Sequence, residues 1–129
     1  MNRTIAILLG VVGVIHLLPL SGVLGTERLL VLYGLPFDDP NLQIMMRHRA
    51  VLFGLLGAFL LLAAFRMEYR VLAIGGGLAA TVSFLWLAAS VGGYNAALGR
   101  VVAADVLAVA CLVAALVLHL LSPRATVTA

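Results

Sequence analysis

Four apolar stretches, each about 20 residues long, take up nearly the whole chain. The hydrocarbon core of a bilayer is about 30 Å thick, and a helix of about 20 apolar residues crosses it. The first stretch runs from about Thr4 to Leu24 and the second from Asn41 to Phe65. The third runs from Val71 to about Gly92 and the fourth from Val101 to Leu121. Spanning strands would show shorter segments of alternating polarity, and none is visible. In lipid each backbone N–H and C=O must find its partner within the chain, which leaves helices. The expected fold is therefore all-α: one domain, residues 1–129, forming an integral membrane bundle of four transmembrane helices.

Composition excludes the common alternatives. Hydrophobic residues make up 64% of the chain and charged residues 10%. An ordinary soluble domain is about 25% charged. All eight basic residues are Arg, and against five acids they leave a net charge of +3. They are scattered and form no basic patch, so no nucleic-acid partner is expected. With the single Cys111, a dithiol cycle within one chain and a Cys-type zinc site are both excluded. Gly75-Gly76-Gly77 lies inside an apolar stretch, so it is not a dinucleotide-binding turn. No metal site is expected.

The connections set the topology. Arg66 to Arg70 joins spans two and three, and Gly93 to Arg100 joins three and four. Loops this short make neighbouring helices antiparallel. The first connection is longer. Thr26 can cap a short interfacial helix, Glu27 to Tyr33, and Gly34 can end it. Leu35 to Pro40 reads as a turn, with Asn41 capping the second span. Arg3 ahead of an apolar run, with Val23-Leu24-Gly25 beyond it, has the outline of a cleavable signal. His16 and Pro19 interrupt that run, which favours a retained span.

Arg3, Arg66, Arg70 and Arg124 fall on one side of the membrane. Arg28 and Arg100 fall on the other with Glu27, Asp38 and Asp39. The positive-inside rule then puts both termini in the cytoplasm. An Ala-rich, Lys-free composition points to a bacterial plasma membrane.

Small residues recur at helical spacing on each span. They are Gly10 and Gly13 on the first, and Ala50, Gly54 and Gly57 on the second. The third carries Gly76, Ala80, Ser83 and Ser90. The fourth carries Ala104, Ala108, Cys111, Ala115 and His119. Such faces let helices approach closely in lipid and predict a compact bundle.

Ionisable residues inside spans are costly and mark either pairing or function. Arg47, His48 and Arg49 lie about two turns into the second span. His16 on the first and Asp105 on the fourth come to the same outer depth. Tyr94 and Asn95 approach it after the third. Gln43, Arg47, Ala50, Gly54 and Gly57 share one helical face, which makes Arg47 the expected inward arginine and Asp105 its partner. A structural ion pair that fixes helix register is one reading of this layer. The other is a binding or enzymatic site. There Arg47, Arg49, Tyr94 and Asn95 would hold a ligand, and Asp105, His48 and His16 would move protons. A haem between His16 and His48 would require facing imidazoles, which spacing alone does not dictate.

His16-Leu17-Leu18-Pro19-Leu20, Asp38-Asp39-Pro40, Arg47-His48-Arg49-Ala50, Gly92-Gly93-Tyr94-Asn95 and the segment Arg100 to Asp105 carry a resemblance. The chain resembles, over nearly its whole length, a group of small bacterial four-helix membrane proteins of uncharacterised function. More loosely it is similar to the DoxX-like superfamily. That resemblance implies a polar residue on the first helix, an Arg entering the second, and quinone-coupled redox work or oxygenation of anthrones. Some look-alikes carry a phosphopantetheine adenylyltransferase label. That activity rests on a soluble nucleotide-binding fold with a His-x-x-His motif, and this sequence has neither.

The expected ligand is a lipid-soluble small molecule, quinone-like or another carbonyl-bearing amphiphile. The alternative is a non-enzymatic membrane subunit or homo-oligomer whose small faces dock to a membrane protein partner.

Overall fold

The computed structural model describes residues 1–123, so Arg124 lies outside the described residues. Five α-helices follow in order. They are α1 (Asn2–Leu17), α2 (Thr26–Tyr33), α3 (Pro40–Phe65), α4 (Arg70–Val91) and α5 (Ala96–Leu121). A 3-10 segment, Leu18–Leu24, continues α1, and a short 3-10 turn, Met67–Tyr69, precedes α4. No strand occurs among the described residues. Four helical segments are long and apolar enough to cross a membrane, which indicates a multi-pass membrane protein. Large apolar side chains such as Phe65, Trp86 and Val91 stand exposed on its outside, where lipid tails would cover them.

The bundle is a ring of four. α1 packs against α3 and α5, and α4 closes the other side against the same two helices. Ser122 Oγ lies 3.9 Å from Met1 Sδ, so α1 begins and α5 ends at one end of the bundle. The short helix α2 sits at the opposite end, against the 3-10 segment and α5.

Local chemistry shifts several boundaries from those expected. Asp39, not Asn41, caps α3: its Oδ1 accepts from Asn41 N at 2.7 Å, and Pro40 takes the first helical position. α5 starts at Ala96, five residues before the expected Val101, because Asn95 Oδ1 accepts from Leu98 N at 2.8 Å. Thr26 is the first residue of α2 and makes no cap; Gly25 precedes it in an extended, positive-φ conformation. Gly34 does end α2, at φ 68°, where its N–H donates to Leu30 O. The first span changes from α to 3-10 at Leu18, one residue before Pro19. Proline has no N–H to donate and its ring crowds the preceding turn.

The α1–α3 contact is made by backbone. A Cβ on Gly57 would stand 2.8 Å from Gly13 O, and one on Gly13 would stand 3.1 Å from Gly57 O. Gly54 instead makes room for a side chain, since a Cβ there would stand 2.6 Å from Leu20 Cδ1 of the 3-10 segment. The expected small faces hold less well elsewhere. Gly10 faces open space, and Gly76, Ser83 and Ser90 are exposed. α4 instead turns Ala73, Ile74, Gly77 and Thr81 inward. Away from α2 the interior is closed and apolar, around Ile5, Leu9, Leu60, Ile74 and Leu112.

Candidate functional site

Near α2 the interior opens into a cavity of about 360 Å³. Its walls are mostly apolar and come from α1, the 3-10 segment, α2, α3 and α5. Five polar side chains line it: His16, Tyr33, Arg49, Arg100 and Asp105. Leu18, Val31 and Arg100 are exposed and so mark its mouth. Arg49 and Asp105 each lie nine residues into their helices. At 1.5 Å per residue both sit about 14 Å below the helix starts.

The Arg49 guanidinium occupies an aromatic cage. Its central carbon lies 4.6 Å from the Phe53 ring centroid, 5.4 Å from Tyr33 and 5.6 Å from Phe84. Ring faces attract cations, and more strongly where water is excluded. Arg49 also donates one hydrogen bond, from Nη1 to Tyr33 Oη at 2.6 Å. A guanidinium carries five N–H donors, so most of its capacity remains unspent.

Tyr33 is itself fixed from two sides. Its ring is buried against Phe37, edge to face. Its carbonyl accepts from Asn95 Nδ2 at 2.8 Å. One side chain thus caps α5 and ties α2 to it. Close packing enforces this tie, because a Cβ on Gly34 would stand 3.1 Å from Asn95 Nδ2.

His16 is 1% exposed. Its Nδ1 lies 2.8 Å from Val12 O. A carbonyl only accepts, so the proton of the neutral ring sits on Nδ1 and Nε2 keeps its lone pair. Nε2 is buried and has no partner among the described residues. The ring lies 5.6 Å from Phe53, next to the caged guanidinium.

Asp105 is 5% exposed and lines the cavity. Among the described residues the one ion pair within 4.0 Å joins Arg66 to Glu68, at 3.5 Å and exposed. The expected Arg47–Asp105 pair is therefore not formed. Arg47 is exposed, and its Nε donates to Val23 O at 2.9 Å.

The physical reason lies in helix phase. Ala50, Gly54 and Gly57 do share a face with Arg47, as the spacing predicts. That face points at the closest neighbour, α1 and its 3-10 extension, and not at the bundle axis. The axis is about 100° further round, along Arg49, Phe53 and Leu60.

The other expected site residues divide in the same way. His48 is exposed and outside the cavity lining, so it does not face the buried His16 as a haem would require. Tyr94 is 45% exposed and also outside the lining. Asn95 holds α2 in place but does not line the cavity. His16, Arg49 and Asp105 come together. Tyr33, Phe53 and Arg100 join them, although sequence reasoning assigned them no site role. The Leu29–Tyr33 spacing on α2 could have revealed Tyr33, since both residues are buried one turn apart. Among the described residues no three His, Cys, Asp or Glu side chains group as metal ligands.

Comparison with known proteins brings no relative: no family model matches the chain, and no curated protein or solved structure does either.

Proposed function

We propose that the protein binds or acts on a lipid-soluble ring compound, quinone-like or otherwise oxygen-bearing, in the cavity beside α2. One observation carries this reading: unspent polar groups from separate helices converge on a single apolar cavity of about 360 Å³. That size falls in the usual range for small-ligand pockets, about 300–1,000 Å³. A purely structural polar layer would spend its hydrogen bonds internally. Here Arg49 keeps free donors, and Asp105 and His16 Nε2 keep free lone pairs. Arg49 and Tyr33 would hold a ligand oxygen. Asp105 would exchange a proton with it. Leu18 and Val31 at the mouth would give access from the lipid side.

The Ala-rich, Lys-free composition supports a bacterial plasma membrane, and the distribution of arginines supports cytoplasmic termini, with the cavity then in the outer half of the bilayer. His16 on the first span and Arg49 entering the second also fit the DoxX-like pattern, and we propose kinship on that ground.

The test is a binding titration in nanodiscs with decylubiquinone in either redox form. Arg49→Met should weaken binding of either form, and Asp105→Asn that of the reduced form, by about tenfold or more, the worth of one charge-assisted hydrogen bond. Arg47→Ala and His48→Ala should bind as the unaltered chain does. Unchanged affinity in folded Arg49→Met and Asp105→Asn variants would remove the site.

A further inference from the structure

Arg100 of α5 stands exposed at the mouth as a donor; inside the mouth the hydrogen-bonding groups of the cavity are sorted by helix. α2 and α3 bring donors. Tyr33 Oη accepts from Arg49 Nη1 at 2.6 Å, which leaves the phenol proton free to donate. Arg49 itself can only donate. Inside the mouth, α1 and α5 bring acceptors. His16 Nδ1 is committed to Val12 O at 2.8 Å, which fixes Nε2 as a lone pair, buried and without a partner. Asp105, 5% exposed, has neither a hydrogen bond nor an ion pair among the described residues. With the Arg49 cation lining the same cavity, its carboxylate in the ionised form only accepts.

A dione offers acceptors alone. It would satisfy the donors of α2 and α3, and leave Asp105 and His16 Nε2 facing carbonyl oxygens or apolar atoms. Burying an acceptor against another acceptor forfeits its hydrogen bond and adds repulsion. A ring with a hydroxyl satisfies both sets. One oxygen accepts from Tyr33 or Arg49, and the hydroxyl proton goes to Asp105 or His16.

We infer that the cavity selects the hydroxyl form of its ligand, a phenol or hydroquinone ring, over the corresponding dione. This rests on the ligand-site reading above and adds the hydrogen-bonding polarity of the ligand. Asp105 is the principal determinant, because it opens to the cavity. His16 Nε2 is the second acceptor.

Three probes with one ring and one tail test it: decylubiquinol, decylubiquinone, and the dimethyl ether of decylubiquinol, which cannot donate. They are titrated anaerobically by calorimetry into the full chain in nanodiscs. Decylubiquinol should bind about tenfold tighter than either other probe, the effect of one buried acceptor left unpaired. In Asp105→Asn the amide can also donate, so the diol-to-dione ratio should fall to about twofold. Decylubiquinone binding as tightly as decylubiquinol to the unaltered chain would overturn the inference and leave the ligand site standing. No binding of any probe would remove the site and the inference together. The three-probe comparison on the unaltered chain decides the matter even if Asp105→Asn does not fold.

Discussion

Two arginines reach the interior of this bundle from opposite ends, and their surroundings differ. Arg70 is 3% exposed, at the end away from α2. Its Nε and Nη2 donate to Ala63 O and Ala64 O, both at 3.3 Å, among the last carbonyls of α3. Nη1 and Nη2 reach Asn2 Oδ1 at 3.3 Å and Asn2 O at 3.5 Å. A helix leaves its last four carbonyls without intrahelical partners, and its C-terminus carries partial negative charge. Arg70 answers both needs and joins α3 to the start of α1. Arg49 spends one hydrogen bond on Tyr33 and otherwise rests on ring faces. The contrast shows that a buried charge is not by itself a functional signal. What distinguishes the two is unspent hydrogen-bonding capacity beside a cavity.

The sharpest way to break this contrast is to remove each charge in turn. Arg70→Met should lower unfolding stability by about 3 kcal/mol, because buried carbonyls lose their partners. Its ligand affinity, measured on the folded fraction, should not change. Arg49→Met should cost about 1 kcal/mol of stability and lose affinity instead. Unfolding in bicelles, run beside the binding titration, separates the two. Equal stability losses would erase the distinction.

A smaller effect tests the close helix crossing on which the cavity is built. Gly57→Ala puts a methyl 2.8 Å from Gly13 O and should cost about 2 kcal/mol. Gly10→Ala meets nothing within 4 Å and should be neutral within about 0.5 kcal/mol. Comparable melting shifts for the pair would mean that α1 and α3 do not meet at Gly13 and Gly57.

Smallest is the tie between α2 and α5. Asn95→Ala loses a helix cap and the bond to Tyr33 O, for about 1 kcal/mol. Faster hydrogen exchange should appear at the amides of α2 and the first turn of α5, and not at those of Leu60 or Leu112. Unchanged exchange at α2 would show that Asn95 does not hold it.

How much of this the sequence discloses depends on the kind of signal. The four spans rest on length and apolarity, which lipid enforces without reference to packing. Small-residue spacing marks Gly13 and Gly57 as positions where a helix can approach, but not that they meet each other, and Gly10 on the same span faces open space. Arg49 was not distinguishable from Arg47 in this way. The spacing of Ala50, Gly54 and Gly57 reports the nearest helix, and the bundle axis lies at a different angle. Arg70 reads in sequence as an ordinary loop arginine; only the turn at Arg66 brings it back over Ala63 and Ala64. Tyr33 and Asn95 matter through contacts 62 residues apart in the chain. No local pattern encodes such a contact. His16 and Asp105 were legible because an ionisable residue within an apolar span is conspicuous on its own.

The central claim is that a ligand occupies the cavity lined by His16, Arg49 and Asp105. Cysteine protection tests it most directly. In a Cys111→Ala background, Ala104→Cys puts a thiol on the cavity wall and Tyr94→Cys puts one outside it. Decylubiquinol should slow maleimide labelling at position 104 about tenfold or more and leave position 94 unchanged. Equal labelling rates at position 104 with and without decylubiquinol, at a concentration that saturates binding, would contradict the account.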